Sequence, residues 1–344
     1  MKNFKPQKND FITGQKFVEL ADVVFAANLP NNDFAKINNL NIKVIAKNEH
    51  LTSFKTKILK IKDGDIVYCS SNHVELFFYY IEKNKDINNI TLISSQSDKV
   101  IDKKLFNKMP KSIHKWYSTN VAYNNEKLIP IPLGIANSYS PKNIRVDDFK
   151  NFSQKSSEKI DKLYINLQKN TNFKERSNIH NLFLNKEWVV QREPNLEIID
   201  YMNDLSKYKF VLCPWGNGVD THRLWEVLYL GSIPVTKFHK TYESVKNLPI
   251  IFVDNYKDIN LDFLSEKLDL LNNSSSEELQ FKFWQNKIKL VSENLNNTTV
   301  EVSESNFYEF YFWNKKRLVH KFNSKLKIFK YYLKKIRLLL LGTY

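Results

Sequence analysis

The stretch "FVLCPWGNGVDTHRLWEVLYLGSIPV" at 210–235 holds three of the chain's seven glycines, and the rest of the sequence is interpreted outward from it. The apolar run "FVLCP" predicts a buried strand that stops at Pro214. The loop "WGNGVD" follows, and a helix is predicted over 221–231, with Gly231 ending it as the C′ residue. "SIPVTK" at 232–237 predicts the next strand. This order of strand, loop, helix and strand is typical of a parallel α/β sheet.

The loop and the start of the helix carry the residue types of an anion site. Gly216 and Gly218, with Asn217 between them, can adopt positive φ and let a ligand approach the backbone closely. Asp220 and Thr221 are both good N-cap types. The first helical turn offers unpaired N–H groups and the positive end of the helix dipole, which suits a diphosphate. In open α/β sheets, ligands bind at this edge, beyond the carboxyl ends of the strands.

Three side chains at the helix start fit a nucleotide site. A cation at Arg223, in the first turn, is unfavourable for the helix dipole by about 0.3–1 kcal/mol, and a bound phosphate would compensate it. Glu226 shares that face, where a carboxylate can accept both hydroxyls of a ribose. His222 is placed to contact the phosphate or the sugar. The alternative is a plain turn with an i,i+3 ion pair between Arg223 and Glu226. The spacing matches neither GxGxxG nor GxxxxGK[ST].

The first half of the chain alternates between short apolar runs and polar, helix-like stretches. The runs are rich in Val and Ile and end in Asn, Ser, Pro or Gly, which is typical of strands. Their near-continuous apolar character predicts strands covered on both faces, as in a parallel sheet. The predicted strands are "DVVFAAN" (22–28), "IKVIAK" (42–47), "DIVYCSS" (65–71), "ITLISSQ" (90–96) and "LIPIPLG" (128–134), and "HVELFFYYIEKN" (73–84) is a predicted helix.

A polar, charged stretch at 141–162 predicts a domain linker. After it, short apolar runs and helix-like stretches alternate again. Predicted strands cover 163–168, 187–193, 210–214, 232–237 and 249–256, and predicted helices cover 175–185, 195–208, 221–231, 261–271 and 278–295. We therefore expect an α/β fold of two tandem Rossmann-like domains with a cleft between them. The expected domains are 1–140 and 163–310, followed by a helical tail at 311–344.

The 210–235 stretch resembles the exostosin-like glycosyltransferases, a family that includes ribitol xylosyltransferase-type enzymes. That family shows a similar segment, F-x-L-x-P-x-G-x-G … R-x-W-E-x-L-x-x-G-x-I-P-V. The matching positions here are Phe210, Leu212, Pro214, Gly216, Gly218, Arg223, Trp225, Glu226, Leu228, Gly231, Ile233, Pro234 and Val235. The rest of the second half is similar more weakly, and the first half is similar only in its rhythm of elements.

The resemblance implies a GT-B fold whose second domain holds a nucleotide sugar, UDP-linked, as co-substrate and without a further cofactor. Arg223 would bind the diphosphate and Glu226 the ribose. Arg176 is similar to the family's Arg early in the first helix of the donor domain. Such enzymes generally need no metal, because the helix dipole and basic residues offset the charge on the leaving diphosphate. The expected donor site comprises Gly216, Asn217, Gly218, Asp220, Thr221, His222, Arg223, Glu226 and Arg176.

An inverting transfer needs a general base, which should project from the first domain into the cleft. "ITLISSQSD" places Asp98 just beyond a predicted strand, which makes it the first candidate. His73, at the start of the helix that follows "DIVYCSS", is the second candidate. The alternatives are a helix cap for Asp98 and an ordinary surface position for His73.

An acceptor wall is predicted from "HKWYSTNVAY" at 114–123. Trp116 and Tyr117 offer aromatic faces that stack on sugar rings, and the amide of Asn120 can orient hydroxyls. The alternative is that these aromatic residues pack under a loop.

The net charge of +15 is concentrated at one end of the chain. Ten positive charges fall between Lys315 and Arg337, a stretch without Asp or Glu. This distribution argues against a protein built throughout to bind nucleic acid. Residues 315–344 predict a basic amphipathic helix that could lie on an anionic membrane surface, where each basic residue adds about 1 kcal/mol. The alternative is that its apolar stripe packs on the body of the protein.

The remaining composition favours a cytoplasmic protein. Cys69 and Cys213 each end a predicted buried strand, and we expect both to be reduced thiols. The N-terminal residues lack a signal-peptide pattern, and no run of about eighteen apolar residues predicts a membrane span. We expect a cytoplasmic location, with peripheral attachment to the inner face of the membrane through the tail.

The leading hypothesis is a glycosyltransferase that moves a sugar from a nucleotide sugar to a glycan or a lipid-linked saccharide in polysaccharide synthesis. A fucosyltransferase-like or sugar-epimerase enzyme of the same fold is an alternative. A non-catalytic nucleotide- or glycan-binding module is another. A basic protein that binds nucleic acid or membranes through its tail belongs to a different class again.

Overall fold

The computed structural model describes residues 10–37, 41–84, 86–153, 158–271, 274–290 and 299–303, together with 305, 307–315, 317, 318, 321 and 325. The chain divides into two units, Met1–Val302 and Ser303–Tyr344, and both large sheets belong to the first. In the second unit, residues 307–315 are helical. Most of the basic tail at 315–344 lies outside the described residues, so membrane attachment stays a prediction. Within the described part of the chain, no helix is long and apolar enough to cross a membrane.

The first half of the chain builds a seven-stranded sheet, which with its helices is called the first lobe below. Its strands are β1 (Val23–Pro30), β2 (Ile42–Lys47), β3 (Leu51–Thr56), β5 (Ile66–Cys69), β6 (Ile90–Ser94), β7 (Ile113–Ser118) and β8 (Leu128–Pro130), and β4 (Ile58–Lys62) pairs instead with β14 (Thr299–Ser303). The strand order is β2-β3-β1-β5-β6-β7-β8. Strands β1, β5, β6, β7 and β8 are parallel, and β3 runs antiparallel to both β1 and β2.

The helices of the first lobe follow from local sequence. They are α1 (Gly14–Glu19), α2 (Asn31–Phe34), α3 (Val74–Glu82), α4 (Lys103–Phe106) and α5 (Val146–Asn151). α1 begins after Thr13, whose hydroxyl accepts a hydrogen bond from the Lys16 amide at 3.3 Å. The apolar face of α3 is buried as its spacing predicts, since Val74, Phe77 and Ile81 are all in the core.

The second half builds a five-stranded sheet, which with its helices is called the second lobe. The strands are β9 (Ile160–Asn166), β10 (Val189–Arg192), β11 (Tyr208–Leu212), β12 (Ile233–Lys237) and β13 (Ile251–Val253), and the helices are α6 (Phe173–Arg176), α7 (Ile179–Leu182), α8 (Ile198–Lys207), α9 (His222–Tyr229), α10 (Leu261–Leu270) and α11 (Phe281–Lys289). The order is β10-β9-β11-β12-β13, and every pair is parallel. Helices on both faces explain why these strands read as continuous apolar runs.

One hydrophobic core runs through both lobes. The N-terminal segment joins them, because the Phe11 ring lies 4.9 Å from the Tyr229 ring and the Phe17 ring lies 5.4 Å from the Phe281 ring, measured between centroids. The Ile12 amide also donates to the Tyr229 hydroxyl at 3.0 Å. Residues 11–17 therefore pack against helices of the second lobe.

The fold class predicted from the sequence is confirmed: this is an α/β protein with a mixed seven-stranded sheet and a parallel five-stranded sheet, consistent with two Rossmann-like domains. Three details differ. β2 is an exposed edge strand paired antiparallel with β3, not a buried parallel strand. β3, β4 and β7 were not predicted, because Lys, Thr and Ser interrupt their apolar runs. The segment at 141–162, predicted to be a linker, contains α5 and the start of β9.

Candidate functional site

A cavity of about 740 Å³ lies between the two lobes, at the carboxyl ends of strands from both sheets. The first lobe contributes Asn28 from β1, residues 96–98 after β6 and Leu133 after β8. The second lobe contributes Asn166 from β9 and the residues that follow β10 and β11. Open α/β sheets bind ligands at this edge. The predicted donor residues that line the cavity are Arg176, Gly216, Asn217, Gly218, Asp220, Thr221, His222, Arg223 and Glu226.

The glycine loop, defined as residues 214–221, packs tightly against the first lobe. Gly216 and Gly218 do not adopt positive φ, so that part of the prediction is wrong. Gly218 is required for another reason. A Cβ there would lie 3.0 Å from both amide atoms of Asn120 and 3.2 Å from Oδ1 of Asp98. The lack of a side chain at Gly218 therefore permits close contact between the glycine loop and Asn120 of the first lobe, and Asp98 lies directly against the loop.

The ends of α9 follow the sequence signals only in part. Thr221 is the N-cap residue, although its side chain makes no capping hydrogen bond. At the other end, Gly231 has φ +69, and the Ser232 amide donates to the Val227 carbonyl at 3.0 Å, which is a Schellman motif. The prediction that Gly231 is the C′ residue is confirmed.

Arg223 and Glu226 are joined through a third residue, Tyr201 of α8. The Nε of Arg223 donates to the Tyr201 hydroxyl at 2.9 Å, and that hydroxyl donates to Oε2 of Glu226 at 3.4 Å. No ion pair within 4.0 Å links the Arg and the Glu, although both are described residues. The alternative of a simple i,i+3 ion pair is therefore wrong. Tyr201 holds the two charged groups apart and on the same wall.

Arg223 and Glu226 both line the cavity, and part of their hydrogen-bonding capacity is not used by the described residues. The Nη1 atom of Arg223 is buried and has no acceptor among the described residues. Glu226 is only 3% exposed. Burial raises the pKa of Glu226 to about 7, against the opposing effects of Arg223 and Tyr201. A buried N–H without an acceptor costs free energy, and this one belongs to a side chain that lines the cavity.

Arg176 lines the cavity and also bonds the glycine loop, and its predicted role in donor binding stays a prediction. Its guanidinium donates to three backbone carbonyls, those of Trp215 at 2.8 Å, Pro214 at 3.0 Å and Gln168 at 3.3 Å. Only 6% of the residue is exposed. Burial and, second, the nearby charge of Arg223 lower the pKa of Arg176 to about 10. Arg176 therefore fixes the glycine loop and adds positive potential to the cavity, with most of its N–H groups already used.

Asp220 and Asn120 tie the glycine loop to the first lobe. Oδ2 of Asp220 accepts from the Leu133 amide at 2.8 Å, and its Oδ1 accepts from the Trp225 indole at 2.9 Å. The Asp220 amide donates to Oδ1 of Asn120 at 3.0 Å. Burial raises the pKa of Asp220 to about 7. The carboxylate is thus occupied by protein donors, and its contribution to a donor site is to hold the loop in place.

His222 and Asp98 both line the cavity. Nδ1 of His222 lies 2.8 Å from the Gly134 carbonyl oxygen of the first lobe. Burial lowers the pKa of His222, whereas the Gly134 hydrogen bond and the charge of Asp98 oppose that effect. The structure therefore brings the first candidate base onto the cavity wall.

The other first-lobe candidates do not reach the cavity. His73 ends a 3₁₀ turn, Ser71–His73, and is not among the residues that line it. Trp116 and Tyr117 lie in β7 and are buried, with the Trp116 indole donating to the Ser94 hydroxyl at 2.9 Å and the Tyr117 hydroxyl donating to the Lys287 carbonyl at 3.2 Å. Asn120 is also buried. Because buried rings offer no face to a sugar, the predicted acceptor wall at 114–123 is wrong.

The first-lobe wall that the structure does show was missed in the sequence. Its groups include the side chains of Asn28, Gln96 and Asn137. Gln96 has φ 59, and its amide bonds both backbone groups of Asn28, at 2.8 and 2.9 Å. A non-glycine residue in this region of φ is strained, and such strain is common at functional sites. No local pattern marks these amides, or Tyr201 of the second lobe, as site residues.

Among the described residues, no group of three or more His, Cys, Asp or Glu side chains is arranged to hold a metal ion. Cys69 and Cys213 are both buried and no disulfide joins them. No model of a known protein family matches the chain, and no curated protein matches it with significant similarity. The geometry of the cavity therefore carries any conclusion about function.

Proposed function

We propose that this protein is a glycosyltransferase of the GT-B type, which moves a sugar from a nucleotide sugar, UDP-linked, to a glycan or a lipid-linked saccharide. The observation that carries the proposal is the arrangement of Arg223 and Glu226. Both face one cavity between two Rossmann-like lobes, and neither neutralises the other. A partly exposed cation with one unpaired N–H, one helical turn from a buried carboxylate, suits a ligand that is anionic at one end and hydroxylated at the other.

A nucleoside diphosphate has this chemistry. Its diphosphate would accept from the guanidinium of Arg223 and from the backbone at the start of α9. Its ribose hydroxyls would donate to Glu226. Arg176 adds a second cation whose field reaches the same cavity. These groups would stabilise the charge that develops on the diphosphate when the bond to the sugar breaks, so the reaction is proposed to proceed without a metal.

The acceptor would enter from the first lobe. The cavity volume, about 740 Å³, is within the range of small-molecule sites. Asp98 lies on the first-lobe wall, directly against the glycine loop, and is the proposed general base for the acceptor hydroxyl. The amides of Asn28, Gln96 and Asn137 line the same side and are suited to orient hydroxyl groups.

The test is a binding and turnover screen that needs no knowledge of the acceptor. Isothermal titration and thermal unfolding are measured with UDP, GDP, CMP and their sugars. A ligand at a hundred times its dissociation constant should stabilise the fold by about 2.7 kcal/mol. We expect a diphosphate nucleotide to bind and one nucleotide sugar to be hydrolysed slowly.

The outcomes separate the alternative functions. Release of free nucleotide from one donor supports the transferase, and isomerisation of the donor sugar without release supports the epimerase. Binding without turnover, also in the presence of saccharide acceptors, supports a binding module. If no nucleotide stabilises the protein, the proposed function is wrong.

A further inference from the structure

His222 bridges the two sides of the cavity through one ring nitrogen. A carbonyl oxygen can only accept, so the 2.8 Å contact with Gly134 requires that Nδ1 carries the hydrogen. In the neutral ring, Nε2 then holds a lone pair. Among the described residues, no hydrogen bond to this Nε2 is formed, and the ring lines the cavity beside Arg223. The tautomer is thus set by the first lobe, and the second nitrogen is available to a ligand.

The partner of Nδ1 is held firmly. Gly134 has φ +72, and a Cβ at this position would lie 2.1 Å from the Ile12 carbonyl oxygen. The Ile135 amide donates to that same Ile12 oxygen at 2.9 Å. Because the backbone at 134 can neither accept a side chain nor shift easily, the Gly134 carbonyl fixes the orientation of the His222 ring.

Burial of the His222 ring favours its neutral form. Burial lowers its pKa from the ordinary value of 6.5, and the Gly134 hydrogen bond and Asp98 oppose this lowering without overcoming it. The oxygens of Asp220, two residues before His222, are bonded to Leu133 and Trp225. The charged groups that line the cavity with His222 are Asp98, Lys142, Arg176, Asp220, Arg223 and Glu226.

A diphosphate would reverse this balance, because several negative charges would come to lie beside the ring and favour the imidazolium. We infer that His222 takes up a proton from solvent when a nucleoside diphosphate binds, and that its Nε2–H then donates to a diphosphate oxygen. The inference rests on the proposed function and adds to it a catalytic residue on the side of the leaving group.

The transfer step balances with these groups. As the bond between the sugar carbon and the diphosphate oxygen breaks, its electron pair goes to that oxygen. The imidazolium of His222 and the guanidinium of Arg223 hold the resulting charge. The acceptor oxygen forms the new bond to the sugar carbon, and the hydroxyl proton goes to Asp98, the proposed base. When the diphosphate leaves, His222 returns its proton to solvent.

The inference fixes the sign of a pH dependence. The pKa of His222 is higher in the bound state than in the free state, so the gain in affinity is fully present below the free-state pKa. It is lost as the pH rises through the bound-state pKa. Affinity for the diphosphate should therefore fall with rising pH, by at most about tenfold per pH unit for the uptake of one proton.

The test is isothermal titration of the full chain with UDP and with GDP, in two buffers that differ in their ionisation enthalpy. At about pH 8 the ligand phosphate, with a second pKa near 6, is fully ionised, so proton uptake reports on the protein. His222→Asn keeps an N–H donor near the position of Nδ1 and removes Nε2. His114→Asn is the matched control, because His114 is exposed on β7 and does not line the cavity. Thermal unfolding checks that both variants are folded.

We expect wild type and His114→Asn to take up protons on binding and His222→Asn to bind at least tenfold more weakly without uptake. Equal proton uptake by His222→Asn and wild type would overturn the inference and leave the proposed function standing. Binding by all three proteins without any uptake would overturn it as well. If neither UDP nor GDP binds to wild type, the proposed function fails, and the inference fails with it.

Discussion

The two walls of the cavity are built in different ways. The second-lobe wall owes most of its charge to one continuous segment, 214–226, in which a strand end, a loop and a helix start follow one another. The first-lobe wall is assembled from residues after β6 and β8, from Asn28 in β1 and from the segment 137–144. The charged groups of the second-lobe wall are two arginines, Asp220 and Glu226, and the first-lobe wall carries mainly amides, with one carboxylate, Asp98, and one amine, Lys142. A continuous segment can be recognised in a sequence, whereas an assembled wall cannot.

Two arginines within the second-lobe wall also differ, in how many of their N–H groups are bonded to the protein. Arg176 donates to three carbonyls of the protein, and Arg223 donates to a single tyrosine and keeps a buried N–H without an acceptor. The two arginines line the same cavity but differ in role: Arg176 holds the glycine loop, and Arg223 is proposed to bind a ligand. The variants below test this division, beginning with the largest expected effect.

Arg176→Met should cost the most stability. The substitution removes three charge-assisted hydrogen bonds and leaves buried carbonyls unpaired, so the free energy of unfolding should fall by about 3–5 kcal/mol. Urea unfolding measures this change. Arg192→Met is the control, since its side chain is 54% exposed and its ion pair with Asp204 is 3.8 Å long; it should change stability by less than about 1 kcal/mol. Unchanged stability with lost nucleotide binding would show that Arg176 is instead a direct ligand.

Arg223→Met should weaken nucleotide binding strongly and change the stability of the fold only a little. Loss of a charge-assisted contact to the diphosphate should weaken UDP or GDP binding by about 2–3 kcal/mol, or roughly 30- to 150-fold. The free energy of unfolding should change by only about 1 kcal/mol, because one hydrogen bond to Tyr201 is lost. Titration calorimetry and urea unfolding on the same samples give both numbers. Binding that survives this substitution would remove Arg223 from the donor site.

Glu226→Gln should change how stability depends on pH in the ligand-free protein. Burial raises the pKa of Glu226 from 4.5 to about 7, so the folded state binds this proton more tightly than the unfolded chain. Wild type therefore loses stability as the pH rises from 4.5 towards 7. At about pH 8 the variant should be more stable than wild type by roughly 1–3 kcal/mol, and the difference should vanish below pH 4.5.

Urea unfolding over a pH series measures this effect of Glu226. Asp220, whose pKa is also raised to about 7 by burial, contributes a slope of the same sign that the Glu226→Gln variant keeps. If the free energy of unfolding varied with pH in the same way for wild type and Glu226→Gln, the assignment of a buried carboxylate with a raised pKa at this position would be contradicted.

Gly218→Ala should have the smallest effect. The new Cβ would approach both amide atoms of Asn120 at 3.0 Å, and that amide is held by the Asp220 amide and the Ser97 carbonyl. We expect a loss of about 1–2 kcal/mol in the free energy of unfolding. Gly216→Ala is the matched control, because its nearest contacts would be 3.4 Å away. Equal stability of the two variants would show that the glycine loop can move away from the first lobe.

The second lobe was predicted well because its signals are local. β9, β11 and β12 each contain an uninterrupted apolar run, "LYI", "FVL" and "IPV", and Gly231 marks a helix end that forms through bonds to residues three and five positions earlier. The first lobe was predicted less completely. β7, "IHKWYS", mixes a charged residue with aromatic ones, and its burial depends on β6 and β8 on either side. That is why Trp116 and Tyr117 were interpreted as an exposed sugar-binding surface.

The roles of the charged side chains could not be predicted, because their partners are far away in the chain. Arg176 bonds carbonyls 38 and 39 residues later, and the Tyr201 hydroxyl meets Arg223 across 22 residues. Glu226 is kept from a direct ion pair with Arg223 by that same hydroxyl. Spacing along one helix shows which residues share a face, but not which partner from another element lies between them.

Helix caps, turn glycines and apolar runs act over a few residues, so the order of strand, loop and helix at 210–235 and the α/β class follow from the amino-acid pattern alone. Whether a charged group bonds the protein or faces the cavity depends on contacts between distant segments. The packing of α8 against α9 and of the first lobe against the glycine loop decides this for each charged group. It determines whether a polar atom is bonded to a neighbouring residue or is available to a ligand.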